Sequence, residues 1–262
     1  MAWDAIVVGG GCAGLAYATR ASESGRKVLV LGRKPYLGGR ASSHRDPSTQ
    51  EILDNGQHLL LGCYDETQIY LRRIGALDRL RFWERFQTPL LGPDGSRAVL
   101  RTGALPAPLH TLVGILGLTS LSVRERLGII RVALAARLWG NDRLRGIDVS
   151  SWLRALGQTP RAIERFWEPL VLATLNADPS LVSADQLAVV LVRGFMASRP
   201  ASRIALSTVG LTELLGEPSR AFLHAAGSEV RTRARVGGFL FDRDRIVGVA
   251  TESGETLRSE RV

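Results

Sequence analysis

Three glycines near the start of the chain, Gly9, Gly11 and Gly14, stand in G-x-G-x-x-G spacing within AIVVGGGCAGLAYA, residues 5–18. The chemistry this spacing serves is a grip on a dinucleotide pyrophosphate. Gly9 permits the tight turn, Gly11 lets the backbone approach the phosphates with no Cβ in the way, and Gly14 lets the following helix pack closely on the strand. The elements that must position them are legible on either side. Residues 5–8 predict a parallel strand buried on both faces, and residues 27–31 predict the second strand of a βαβ unit. Between them, residues 12–24 predict a helix whose free amides and dipole face the phosphates.

At the end of the second strand, about 20 residues on, the pattern calls for Asp or Glu to take a ribose hydroxyl. This chain has Gly32, followed by Arg33 and Lys34. Two readings stay open here: a site for the 2′-phosphate of NADP, welcomed by the two cations, or a flavin site with one carboxylate contact fewer. Gly38-Gly39-Arg40 follows, a loop whose backbone can lie against a ligand while the guanidinium pairs with phosphate. Further on comes Asp54-Asn55-Gly56-Gln57-His58.

With G-x-G-x-x-G, the second loop resembles the flavin amine oxidases and carotenoid-type desaturases, in which both loops contact FAD. The form DNGQHLLLGCY, residues 54–64, is similar to a squalene-associated branch of that family, the hydroxysqualene dehydroxylases of hopanoid biosynthesis. PAPLH at 106–110, FWEPL at 166–170 with TLN at 174–176, and GLTELL at 210–215 resemble the same branch in the same order. Gly32 departs from it, since the family usually has Glu there.

The resemblance implies an α/β fold, with a Rossmann-like FAD-binding domain of the glutathione-reductase type and a mainly helical substrate domain inserted in it. The chain corresponds to the N-terminal part of the family's length, so the C-terminal closing part of that fold is expected to be absent. Residues 1–65 are then the first part of the FAD-binding domain and 66–200 a substrate-binding, membrane-facing region. Residues 201–262 return to the first domain, with Pro218 and Gly227 bracketing a helix and strands following from 229 onward. The first of those strands is expected in the parallel sheet and the next ones in a small antiparallel layer.

FAD is the implied cofactor, with Gly9, Gly11, Gly14, Arg33, Gly38, Gly39, Arg40, Gly56, Gln57 and Val236 beside it. The implied substrate is an apolar C30 isoprenoid. Hydroxysqualene would lose its allylic hydroxyl reductively to give squalene, alongside other enzymes of squalene and hopanoid formation. An acid must protonate the poor leaving group. His58, an imidazole on the segment expected beside the flavin, and Tyr64 are the candidates, and a structural hydrogen bond to loop backbone is the competing role for His58. Three further readings stand beside this one: a carotenoid-type desaturase, a nicotinamide-dependent reductase favoured by Gly32-Arg33-Lys34, and a catalytically incomplete fragment. No metal-ligand spacing is present.

A formal net charge of +9, from 34 basic and 25 acidic residues, favours anionic partners. No dense basic run interleaved with aromatics is present, which argues against nucleic acid. An anionic membrane surface is the other candidate. Residues 105–123 carry no charge apart from His110 and are broken by Pro106 and Pro108, so they predict an apolar loop or an interfacial helix rather than a membrane span. In residues 123–140, Leu127, Ile130, Leu134 and Leu138 recur at helical spacing beside Arg124, Arg126, Arg131 and Arg137. That pattern fits a basic amphipathic helix on a membrane or a helix packed on the substrate domain with a solvated arginine face. Cys12 and Cys63 form no disulfide framework, so a cytoplasmic location is expected, and the charge and these two segments place the protein peripherally on the inner face of the membrane.

Overall fold

The computed structural model describes residues 3–56, 58–92 and 94–262. They divide into two units, one made of Met1–Leu59, Asp65–Arg81 and Leu206–Val262, the other of Leu60–Tyr64 and Phe82–Ala205. The first, the nucleotide unit, contains strands Ala5–Val8 (β1), Val28–Gly32 (β2), Ser43–Arg45 (β3) and Ile52–Asp54 (β4). Later in the chain it adds Glu229–Thr232 (β5), Val236–Asp242 (β6), Arg245–Thr251 (β7) and Thr256–Arg258 (β8). Its helices include Cys12–Glu23 (α1), Asp65–Arg73 (α2) and Glu217–Ala225 (α3).

The apolar run of β2 lies between two parallel neighbours, in the order β1-β2-β5, and is buried along its whole length. This is the environment that such an unbroken run requires. Strands β6, β7 and β8 form the expected antiparallel layer. Ile6, Leu29 and Leu31 of the parallel sheet pack with Val249 and Leu257 of that layer.

The expected burial of β1 on both faces is corrected at its end, where Val8 is exposed. The far edge of β1 is only partly covered: Ile6 N–H donates to Arg261 O at 2.9 Å, and Trp3 bridges Ser259 in parallel. Beside it runs an apolar groove of about 600 Å³ lined by Val8, Tyr17, Phe239, Ile246 and Val262, among others.

Residues 66–81, expected at the start of the substrate region, belong instead to the nucleotide unit, whereas residues 60–64 and 201–205, expected in the FAD-binding domain, belong to the second unit. Helix α2 buries Tyr70 and Leu71, Tyr70 Oη lies 2.5 Å from Ser219 Oγ, and Arg73 Nε donates to Glu23 Oε2 at 2.9 Å. Burial pushes the Tyr70 hydroxyl up to about 12, against the opposing hydrogen bond to Ser219.

The second unit is mainly helical, as expected, and its core holds the fully buried Trp152 and Trp167 with Leu118, Ile129, Leu144 and Leu153. Phe86 meets Phe195, and Phe166 meets Trp167, edge to face at 5.2 and 4.9 Å. It also contains an antiparallel hairpin, Gln87–Leu91 with Arg97–Arg101, in a stretch expected to be helical. Alternate burial of Ala98 and Leu100 and the turn at Asp94-Gly95, with Gly95 at φ +76°, account for it. Arg165 holds the turn by donating to Asp94 Oδ2 at 2.7 Å and Ser96 Oγ at 3.0 Å.

Candidate functional site

The glycine loop opens between β1 and α1. Gly9 adopts φ +114°, and its N–H donates to Leu31 O at 2.8 Å, which ties the turn to β2. A Cβ on Gly14 would lie 2.1 Å from Gly9 O, so only glycine lets α1 pack on the turn. A Cβ on Gly11 would meet no atom within 4 Å. The space beside Gly11 is therefore open, and Gly11 caps α1 with no side chain competing for the first amides of the helix. Open concave backbone at a helix N-terminus is the donor set a pyrophosphate needs.

The second loop lies directly on the first. Gly38 N–H donates to Gly10 O at 2.8 Å, and Gly11 and Gly38 form a parallel bridge. A Cβ on Gly39 would stand 3.0 Å from Gly11 Cα, and Gly38 and Gly39 have φ of +104° and +67°. Gly39 is favoured by this contact, Gly38 by the Ala41 O that a Cβ would meet at 2.3 Å, and both by their left-handed backbone. Arg40 and Arg33 are exposed at either end of the second loop. Cys12 is exposed, its Sγ donates to Gly38 O at 3.9 Å, and desolvation pushes its thiol above the ordinary value, which disfavours the thiolate a nucleophile needs.

Gly32 closes β2. A Cβ there would meet Arg231 O at 3.7 Å and Gly10 N at 3.9 Å, ordinary contact distances, so the position has room for a side chain. Val236, expected at the cofactor, is half-buried and packs on the cluster around Ile6 and Val249.

At the end of β4, Asp54, Asn55 and Gly56 form a tight turn. Asn55 N–H donates to Ser42 O at 2.8 Å, Asn55 Nδ2 to Arg40 O at 3.1 Å, and Gly56 N–H to Asp54 O at 2.7 Å, with Gly56 at φ +87°. Gln57 lies outside the described residues. His58 is exposed, and its Nδ1 sits 2.8 Å from Gly56 O. The hydrogen bond to loop backbone weighed against a catalytic role for His58 is thus present. With Nδ1–H donating to that carbonyl, Nε2 is the free ring nitrogen, an acceptor in the neutral ring and a donor only in the imidazolium.

Sequence reasoning missed the clasp that anchors this loop. Asp54 Oδ1 accepts from Ser43 Oγ at 2.7 Å and from Leu211 N–H at 3.0 Å. Ser43 N–H donates to Thr212 Oγ1 at 2.8 Å, and Thr212 N–H donates to Ser43 Oγ at 3.1 Å. The GLTELL segment is therefore the partner of the Asp54 loop. It opens a π-helical turn, Thr212–Gly216, that runs into α3. FWEPL likewise overlaps a π turn, Ile163–Trp167. Such turns recur at functional sites.

The helical unit holds the other candidate, Tyr64, half-exposed, with its N–H on Leu61 O at 3.0 Å and its hydroxyl pushed up by burial and by Cys63. His58 and Tyr64 belong to different units. An apolar cavity of about 40 Å³ in the helical unit is lined by Leu100, Ile115, Phe166, Trp167, Leu191 and Phe195, among others. That space is too small for a C30 chain, so these leucines and aromatics are core. No group of three His, Cys, Asp or Glu side chains suited to a metal occurs among the described residues.

Residues 12–262 match the family described as flavin containing amine oxidoreductase. The chain belongs to that family. Its expected flavin cofactor and α/β fold are borne out, and the nicotinamide reading of Gly32-Arg33-Lys34 is set aside. Among curated relatives, hydroxysqualene dehydroxylase of Rhodopseudomonas palustris is 29% identical over 263 aligned positions, covering 96% of this chain and 60% of that protein. The 15-cis-phytoene desaturase of Solanum lycopersicum is 26% identical over 240 positions, covering 89% of this chain and 41% of that protein. The chain thus spans less than two thirds of either relative.

Among solved structures, an oxidoreductase from Methanosarcina mazei superposes with a TM-score of 0.70 at 17% identity, over 98% of this chain and 57% of that one. Putrescine oxidase gives 0.66 at 18% identity, over 100% and 57%. Both likenesses concern the fold.

Proposed function

We propose that this chain carries the dinucleotide grip of an FAD-dependent oxidoreductase that acts on a C30 isoprenoid, removing the hydroxyl of hydroxysqualene to give squalene. The contact of the second glycine loop with the first, Gly38 N–H on Gly10 O, carries the flavin part of this reading. The substrate part is supported by the likeness to hydroxysqualene dehydroxylase along 96% of the chain. The two free cysteines are in keeping with a reducing, cytoplasmic setting, beside other enzymes of squalene and hopanoid formation.

Bound FAD supplies two-electron hydride chemistry. The backbone around Gly11 and the first turn of α1 hold the pyrophosphate, and the loops of Gly38-Gly39 and Asp54-Asn55-Gly56 give that grip its shape. Arg40 is placed to pair with phosphate. In the net change a C–O bond breaks and a C–H bond forms, so two electrons and two protons enter and water leaves. An external two-electron reductant provides the electrons. The imidazolium of His58, with Nδ1–H held on Gly56 O, is the group assigned to give its Nε2 proton to the departing hydroxyl.

The likeness to 15-cis-phytoene desaturase supports a second reading, in which the same flavin removes hydrogens from a carotenoid precursor. The purified chain decides between them. A flavin absorbance spectrum, FAD released on heating, and squalene formed from hydroxysqualene under reducing conditions are the expected results. His58→Ala should cut that turnover at least tenfold with the flavin still bound, within the range general acids contribute. Desaturated product from phytoene would favour the second reading. A colourless protein that takes up NADPH would overturn both, and flavin binding without any turnover would identify a catalytically incomplete fragment.

A further inference from the structure

Helix Val123–Leu144 sends two apolar faces in opposite directions. One packs Ile129, Val132, Ala135 and Ala136 into the core of the helical unit. The other carries Val123, Leu127, Leu134 and Leu138, which are 65, 56, 50 and 77% exposed. At about 100° per residue these four form one stripe, with the exposed Arg124 and Arg131 along one side of it and Arg137 along the other. Gly140, at φ 70° and ψ 161°, ends the regular stretch.

A second stripe accompanies it. Helix Leu109–Leu116 leaves Leu109, Val113 and Leu116 exposed at one-turn spacing, with Leu105 exposed just before it. Arg126 locks the two helices by donating to Leu116 O at 2.8 Å and to Leu121 O at 2.9 Å. Between residues 105 and 139 the sequence holds one carboxylate, Glu125. It is buried, accepting from Ser122 Oγ at 2.8 Å and Thr159 Oγ1 at 2.7 Å. The outer face therefore combines leucine and arginine with no acidic side chain.

An exposed apolar patch of this extent marks an interaction site, since water penalises it without a partner. Cations flanking the apolar stripe match an anionic headgroup layer, in which leucines reach the acyl boundary and guanidiniums stay at the phosphates. We infer that helices Leu109–Leu116 and Val123–Leu144 form a docking face for an anionic lipid bilayer, on which the protein lies without crossing it. No helix among the described residues is long and apolar enough to span a membrane. The inference stands on exposure and charge and is independent of the flavin reading.

Flotation of the 262-residue chain with phosphatidylcholine vesicles, with and without phosphatidylglycerol, tests it. The chain should float with the anionic vesicles at low salt and be released at high salt. The pair Leu127→Asp and Leu134→Asp, at exposed positions and checked for folding by circular dichroism, should weaken flotation more than tenfold. Arg131→Ser and Arg137→Ser should each cost about fivefold. Failure to float at low salt, or flotation unchanged in the folded leucine pair, would overturn the inference. So would a dimer, by light scattering, that the leucine pair dissolves while neither protein binds vesicles, since a second copy would then be the occupant.

Discussion

Asp54 Oδ1 accepts the hydroxyl proton of Ser43 at 2.7 Å, a hydrogen bond across the β3–β4 hairpin that fixes the start of the DNGQH loop. The same oxygen takes Leu211 N–H at 3.0 Å. Asp54→Ala would strip both donors of their acceptor. A loss of about 2–3 kcal/mol in urea unfolding is expected, with Asp54→Asn recovering about half of it because one acceptor oxygen remains.

Gly11 and Gly14 are both motif glycines, and they should fail differently. Gly14→Ala drives a methyl to 2.1 Å from Gly9 O and should lower both the melting temperature and flavin occupancy. At Gly11 the added methyl meets no protein atom within 4 Å, and φ −87° with ψ 178° suits alanine. Gly11→Ala should therefore stay within about 0.5 kcal/mol of the parent in stability while losing most of its bound flavin. Thermal melts and the flavin-to-protein absorbance ratio read the two effects separately.

At Gly32 a Cβ would make only ordinary contacts, so the backbone does not bar the carboxylate this position lacks. Gly32→Glu should tighten FAD roughly tenfold through a charge-assisted bond to a ribose hydroxyl. Titration of FAD into the stripped protein, followed by flavin fluorescence, checks the direction. An unchanged dissociation constant would mean that the ribose lies elsewhere.

His110 is buried, with Nε2 3.2 Å from Ser202 Oγ. Burial first, and the charge of Arg199 second, push its pKa below the ordinary histidine value. The unfolded chain therefore takes up the proton before the folded chain does. Stability is fully present above the ordinary value of about 6.5 and is lost as pH falls through it toward the folded value. Melting temperature should drop between pH 7.5 and 5.5, and His110→Asn should flatten that slope while lowering stability at neutral pH.

Local chemistry was the legible part of the sequence. Gly9, Gly11 and Gly14, the apolar runs of β1 and β2, and the turn residues between β6, β7 and β8 each specify their own backbone, so the nucleotide fold could be anticipated. The clasp could not, because Asp54 finds Leu211 at a separation of 157 residues and no local pattern marks the pair. Nor could the π turns, whose sequences read as ordinary helix. The hairpin at 87–101 did carry a signal, Asp94-Gly95 between alternating residues, but it lay in a stretch dominated by helical periodicity. Leucine spacing alone left two directions open for helix Val123–Leu144. Only the burial of Ile129 and Val132 fixes which of its two apolar faces points inward.

The Ser228 hydroxyl lies 2.7 Å from Ser22 Oγ and accepts Val28 N–H at 2.9 Å, pairings of residues 206 and 200 positions apart. Strand β2 likewise waits for β5 to complete the sheet order β1-β2-β5. During synthesis, residues 82–205 emerge in full before the third strand of the nucleotide sheet exists. The helical unit, rich in local contacts, is thus free to form early, while closing the sheet must bear the loop entropy of the entire insertion. Folding order therefore departs from reading order: the domain that begins first is finished last, and until then the far edge of β2 stands unpaired and in need of protection.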